Sequence, residues 1–143
     1  MTVRDVNRIP ELLRDIPDIL DRAGARAGAF LTAKLVERID VGDPRWPALS
    51  AWWIAKKKSS KIYIHTGELR ALLTYRVEGE GLRRAVKVGI FDHEKAAILA
   101  KLEYGYERIP ERPLMRPVAD ENEEALQKLV KGYIAGELGK HGV

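Results

Sequence analysis

Apolar and polar positions follow two different periods along this chain, and the switch between them divides it into elements. Leu20, Ala23, Ala27, Leu31, Leu35 and Ile39 recur every third or fourth residue, which places them on one face of a helix. Asp15 is positioned to cap that helix, with Pro17 in the first turn, where a missing N–H breaks no bond. The pattern predicts about six turns, ending before Gly42-Asp43-Pro44. Gly24, Ala25, Gly28, Ala29 and Ala33 make one side of the helix small. Each glycine costs about 1 kcal/mol of helix propensity relative to alanine, so close packing on that side must offset the loss.

The period then falls to two. Leu73, Tyr75 and Val77 alternate with polar residues, and Val86, Val88 and Ile90 do the same beyond Gly79-Glu80-Gly81. Two such runs around a glycine-containing turn predict a β-hairpin with one buried face. Asp92 is placed as the N-cap of a helix from Glu94 to Tyr104, with Gly105 as a left-handed C-cap. Residues 106–117 form a proline-rich arm, held extended by Pro110, Pro113 and Pro117. A last helix is predicted from Asp120, with Glu123 completing a capping box and Leu126, Leu129, Val130, Tyr133, Ile134 and Leu138 as its stripe. Gly139 is placed to stop it, leaving 139–143 as a flexible tail with a frayed His141. The fold class expected is α+β, with an antiparallel sheet built around the hairpin and covered by long N-terminal, middle and C-terminal helices. Two strands alone are marginal, so a further strand at Lys61–Ile64, or one from a neighbouring subunit, is expected.

Residues 42–61 interrupt the pattern with a loop that carries all three tryptophans, Trp46, Trp52 and Trp53, followed by Lys56, Lys57, Lys58 and Lys61. Long loops of this kind in a compact domain are usually functional. The plainer reading is that Trp46 packs on the core while the lysines keep the loop solvated. The chain's 143 residues suit a single domain, and its net charge of +4 equals those four lysines, so the remainder is balanced. A nucleic-acid binder spreads its cations over a stripe; here one spot carries the excess. Lys56–Lys61 beside Trp52 and Trp53 is nevertheless the one feature suited to phosphates and bases.

Candidate chemistry is sparse. The chain has no cysteine, which removes disulfides, thiolate metal sites and cysteine nucleophiles. His65, His93 and His141 show no paired ligand spacing, and Ser59-Ser60 lacks the strained turn that exposes a nucleophile. No metal, cofactor or enzymatic activity is therefore expected. No apolar run approaches the roughly 18 residues of a membrane span, and the N-terminus has no signal core, so an intracellular protein without membrane association is expected.

The order Trp46-Pro-Ala-Leu, Thr66-Gly67-Glu-Leu69-Arg70, a hairpin with Val88-Gly89, a helix ending in Tyr104-Gly105, and Ile109-Pro110-Glu-Arg112-Pro113-Leu114 resembles the virion morphogenesis, or tail-completion, proteins of Mu-like and lambda-like long-tailed phages. The resemblance is best from Trp46 to Pro117. Leu114 stands where the family usually has Phe, and Ala96–Leu102 lacks the family's Tyr-Ala and His. The resemblance implies a non-enzymatic structural protein of the phage neck or tail, in the virion and in the host cytoplasm during assembly. It would act in head–tail joining beside other neck and tail proteins, as a ring subunit. Thr66, Gly67, Leu69, Gly89 and Gly105 are then fold-motif residues, and Trp46, Trp52, Trp53, Arg112, Pro113 and Leu114 are interface candidates. The alternative is a small nucleic-acid-binding protein using Lys56, Lys57, Lys58 and Lys61.

Overall fold

The computed structural model describes residues 9–48 and 68–142. Helix α1 (Ile9–Val41) is followed by a short α2 (Glu68–Leu72), strands β1 (Thr74–Glu78) and β2 (Ala85–Gly89), α3 (His93–Tyr104) and α4 (Met115–Lys140). The class is α+β: three substantial helices and a two-stranded antiparallel sheet.

Helix α1 begins at Ile9, six residues before the predicted cap, and Pro17 lies inside it. Pro10 supplies the first-turn proline instead, where no N–H is required. Asp15 is accordingly a helical residue and not a cap. The other end is as expected: α1 stops at Val41, and Gly42 N–H closes the last turn on Arg38 O at 2.7 Å.

The small side of α1 receives the hairpin. A Cβ on Gly24 would lie 2.8 Å from Val77 Cγ1, and one on Gly28 would overlap the base of the Tyr75 ring. Tyr75 pairs with Val88 and Val77 with Val86, so one face of the hairpin meets the glycine–alanine seam. Leu73 and Ile90 lie just outside the strands, both at the open end of the hairpin, and are buried in the core. Packing on α1 explains how a sheet of only two described strands persists. The expected strand at 61–64 falls outside the described residues.

Helix α4 runs antiparallel to α1, because successive contacts pair Arg38 with Glu121, Arg26 with Tyr133 and Arg22 with Glu137. Its stripe from Leu126 to Leu138 is half-buried, with α1 as its cover. The fully enclosed core is elsewhere, where Leu35 and Ile39 of α1 meet Trp46, Leu69, Leu73, Ile90, Leu99, Leu114 and Val118.

Both ends of α4 differ from expectation. It starts at Met115, so Asp120 and Glu123 form no cap, and Pro117 occupies its first turn. It continues through Gly139 to Lys140, and Gly142, at φ 77°, makes the turn beyond it. Helix α3 keeps its expected cap: Lys95 N–H donates to Asp92 Oδ1 at 3.0 Å. Gly105 follows it with positive φ (77°) but ψ of 156°, so the chain leaves extended and not left-handed. No helix among the described residues is long and apolar enough to cross a membrane.

Candidate functional site

Three of the segments named in the resemblance, Trp46–Ala48, Tyr104-Gly105 and Ile109–Leu114, lie at one junction below the end of α1. It begins at Gly42-Asp43-Pro44, where the chain turns. Asp43 Oδ1 accepts the Arg45 backbone N–H at 2.9 Å, a local Asx turn, and the side chain also binds the guanidinium groups of Arg38 and Arg45. The hydrogen bond from the Arg45 guanidinium holds the Asp43 carboxyl far below the usual carboxylate range despite its burial. Both arginines continue to Glu121 of α4, so four charges tie the end of α1, the turn and α4 together.

This turn aims Trp46 into the core, in agreement with the plainer sequence reading. Its indole N–H donates to Pro113 O at 2.6 Å across 67 positions of sequence. A buried indole needs such a partner. Arg112 returns the connection: Nε donates to Pro47 O at 2.8 Å and Nη2 to Ala48 O at 3.2 Å. Its own backbone N–H donates to Leu102 O at 2.7 Å. The arm is therefore folded back onto the chain that bears it. Arg112 is 6% exposed and Leu114 0%, while Pro113 is half-buried with its carbonyl engaged. Arg112 and Leu114, expected as partner contacts, are instead internal: the guanidinium is buried and donates to the Pro47 and Ala48 carbonyls, and Leu114 belongs to the core.

Sequence reasoning missed the residue that organises the helix start. Glu103, at the end of α3, is 3% exposed. Its Oε2 accepts the N–H groups of Leu114 (2.6 Å) and Met115 (2.8 Å), and Oε1 accepts that of Arg116 (3.0 Å). These are donors that a helix start leaves unpaired, and here a carboxylate from another helix satisfies them, favoured by the helix dipole. Leu114, at the N-cap position, has no side-chain oxygen to do so. Burial pushes the Glu103 carboxyl up, but the three N–H groups and Arg116 outweigh it and leave it below its usual value. Nothing in the spacing of Glu103 and Leu114 announces the pairing. Asp43, by contrast, stood in a readable Gly-Asp-Pro turn.

The outer side of the junction is an open cleft of about 400 Å³ lined by Arg45, Glu111, Pro113, Arg116, Pro117, Asp120 and Glu121. Most of these charges are paired across it: Arg116 binds Glu103 and Glu111, and Arg45 binds Glu121. The lining has no hydroxyl, thiol or imidazole, so it offers salt-bridge exchange and backbone contact to a visitor. Beside it, Tyr106 and Ile109 close a tight turn by exchanging backbone hydrogen bonds of 3.0 and 2.8 Å, with Glu107 at φ 51°. Tyr104 (65%), Tyr106 (51%) and Ile109 (41%) face outward there. Arg116 lies over the Tyr104 ring and Lys101 over that of Tyr106.

Of the other expected positions, Leu69 is in the core and Gly89 ends β2. Trp52, Trp53, Lys56, Lys57, Lys58, Lys61, Thr66 and Gly67 lie outside the described residues. Compared with known proteins, the chain matches no family model, no curated protein and no solved structure.

Proposed function

We propose that this protein is a structural component of phage assembly, a tail-completion or neck protein that acts in head–tail joining as a ring subunit. The observation that carries the reading is the junction itself. Three fragments of the resemblance, Trp46-Pro47-Ala48, Tyr104-Gly105 and Ile109–Leu114, meet there, joined through Trp46 and Arg112 and through Glu103, which precedes Tyr104 and is not itself a motif residue. A motif set with a common structural purpose is stronger support than scattered matches. The ring contact of this reading is the outward side of the same junction, where Tyr104, Tyr106 and Ile109 stand exposed beside Arg116 and Lys101. Tyrosine and arginine are the residue types enriched at binding hot spots. A head-to-tail ring needs two different surfaces per subunit, and this turn supplies one.

Mass by light scattering on a sizing column, over a range of concentration and salt and with neck or tail partners added, tests the proposal. A discrete ring-sized species, lost in Tyr106→Ser while the circular dichroism is unchanged, is the expected result. A chain that stays monomeric throughout, and that binds DNA in a salt-sensitive way abolished by replacing Lys56, Lys57, Lys58 and Lys61 with Gln, overturns it in favour of nucleic-acid binding.

A further inference from the structure

At one end of the antiparallel helix pair, the start of α1 and the end of α4 bring together three side chains of metal-ligating type. Glu11 and Asp15 are one helical turn apart in the first part of α1, and His141 lies just past the end of α4. Their ligand atoms, two carboxylate oxygens and one imidazole nitrogen, all fall within 4.8 Å of one another. His141 Nε2 is 3.4 Å from Asp15 Oδ2, with only 13% of the His141 side chain exposed. His141, expected to be frayed, is thus mostly buried against Asp15.

The charge arrangement on α1 singles this place out. Its other acidic residues each face a Lys or Arg: Asp18 with Arg22, Asp21 with Arg84, Glu37 with Lys34, and Asp40 with Arg70. Among the described residues, Glu11 and Asp15 have no such cation, although like charges at this spacing repel. The neighbouring Glu137 is held by Lys140 and Arg22 and so is not available as a fourth ligand. The carbonyl end of α4 adds partial negative charge beside His141, which favours a bound cation.

Ligands at about 2.0–2.2 Å from a metal stand at most about 4.4 Å apart, so small rotamer shifts convert the cluster into a coordinating set. One imidazole with two carboxylates suits a borderline divalent ion such as Zn2+, with water completing the shell. It lacks the six to eight oxygens that Ca2+ takes, and Mg2+ keeps its own waters. We propose that Glu11, Asp15 and His141 bind one divalent transition-metal ion, with Zn2+ as its representative, fastening the start of α1 to the end of α4.

The full chain, freed of metal with a chelator, is titrated with Zn2+ by calorimetry, and with Mg2+ in parallel. One equivalent of Zn2+ at micromolar affinity, a raised melting temperature and no comparable Mg2+ binding are expected. His141→Ala and Asp15→Asn each weaken binding tenfold or more while the metal-free circular dichroism is unchanged. His93→Ala, at an exposed position in the first turn of α3, leaves it intact. No saturable Zn2+ binding in the parent chain, or the same affinity in folded His141→Ala and Asp15→Asn, overturns the proposal. If one variant fails to fold, the other decides the outcome.

Discussion

The seam between α1 and the hairpin and the junction below α1 are both tight contacts between distant parts of the chain, yet they are made by opposite means. At the seam, absence does the packing: Gly24 and Gly28 have no side chain, and Val77 and Tyr75 fill the space. Among the described residues, directed bonds enter only at the turn end of the hairpin, where Arg84 reaches Asp21 and Pro17 O of α1. At the junction, Trp46, Arg112 and Glu103 each place polar atoms on backbone groups of another segment. The first contact does not tolerate added volume. The second tolerates neither the loss of an atom nor a change in its charge, because each buried donor or acceptor left behind has no water to replace its partner.

The sharpest way to break the junction is Trp46→Ala, which removes a core side chain and the bond to Pro113 O and should cost about 4 kcal/mol in urea denaturation. Trp46→Phe keeps most of the volume and should cost about 1 kcal/mol for the lost hydrogen bond. The gap between the two divides packing from polar contributions at this position.

Glu103→Gln comes next. The amide oxygen can accept only part of what the carboxylate accepts, and its NH2 faces donors, so a loss of about 3 kcal/mol is expected by the same measurement. The seam is probed by Gly28→Ala. Alanine would gain about 1 kcal/mol of helix propensity. Its methyl would also meet the Tyr75 ring, an overpacking cost of about 3 kcal/mol, for a net loss of about 2 kcal/mol. In a Tyr75→Ala background the same change should stabilise, and a double-mutant cycle reads the reversal directly. A junction pair treated in this way would not reverse sign.

Acid separates the two regions more gently. Asp43 and Glu103 both have carboxyls held below their ordinary values in the folded chain. A depressed folded pKa means that the stabilisation is complete above the unfolded values of about 4 and fades as pH falls through the folded ones. Urea midpoints should therefore hold from pH 7 to about pH 5 and then fall, with a shallower acid limb in Glu103→Gln. A limb of equal slope in that variant would remove Glu103 from the account.

The ease of reading the two regions from sequence differs for the same reason. Tyr75, Val77, Val86 and Val88 alternate, and Gly24 and Gly28 recur on one helical side, so period and residue size give the hairpin and the small seam, while only the fold shows that one covers the other. Asp92 and Gly42 were equally legible, since a cap or a helix end is a bargain among near neighbours in the chain. The junction was legible only in part. Core packing is the plainer of two sequence readings of Trp46, and its 7% exposure corrects the other, a partner contact; the prolines of the arm at 109–117 suggest an outward reach because they forbid a ladder. Extended backbone says nothing about what lies beside it, and Arg112 and Leu114 turned inward.

What the sequence determined by itself, then, is whatever depends on local spacing: the α+β class, the hairpin, the end of α1 and the cap of α3. Tertiary structure alone decided where α4 begins, since its first N–H groups are capped by Glu103 from another helix. It also decided that Glu11 and Asp15 meet His141. Backbone periodicity extends over a few residues, whereas a hydrogen bond or a ligand cluster needs only proximity in space, and that exists once the chain has folded.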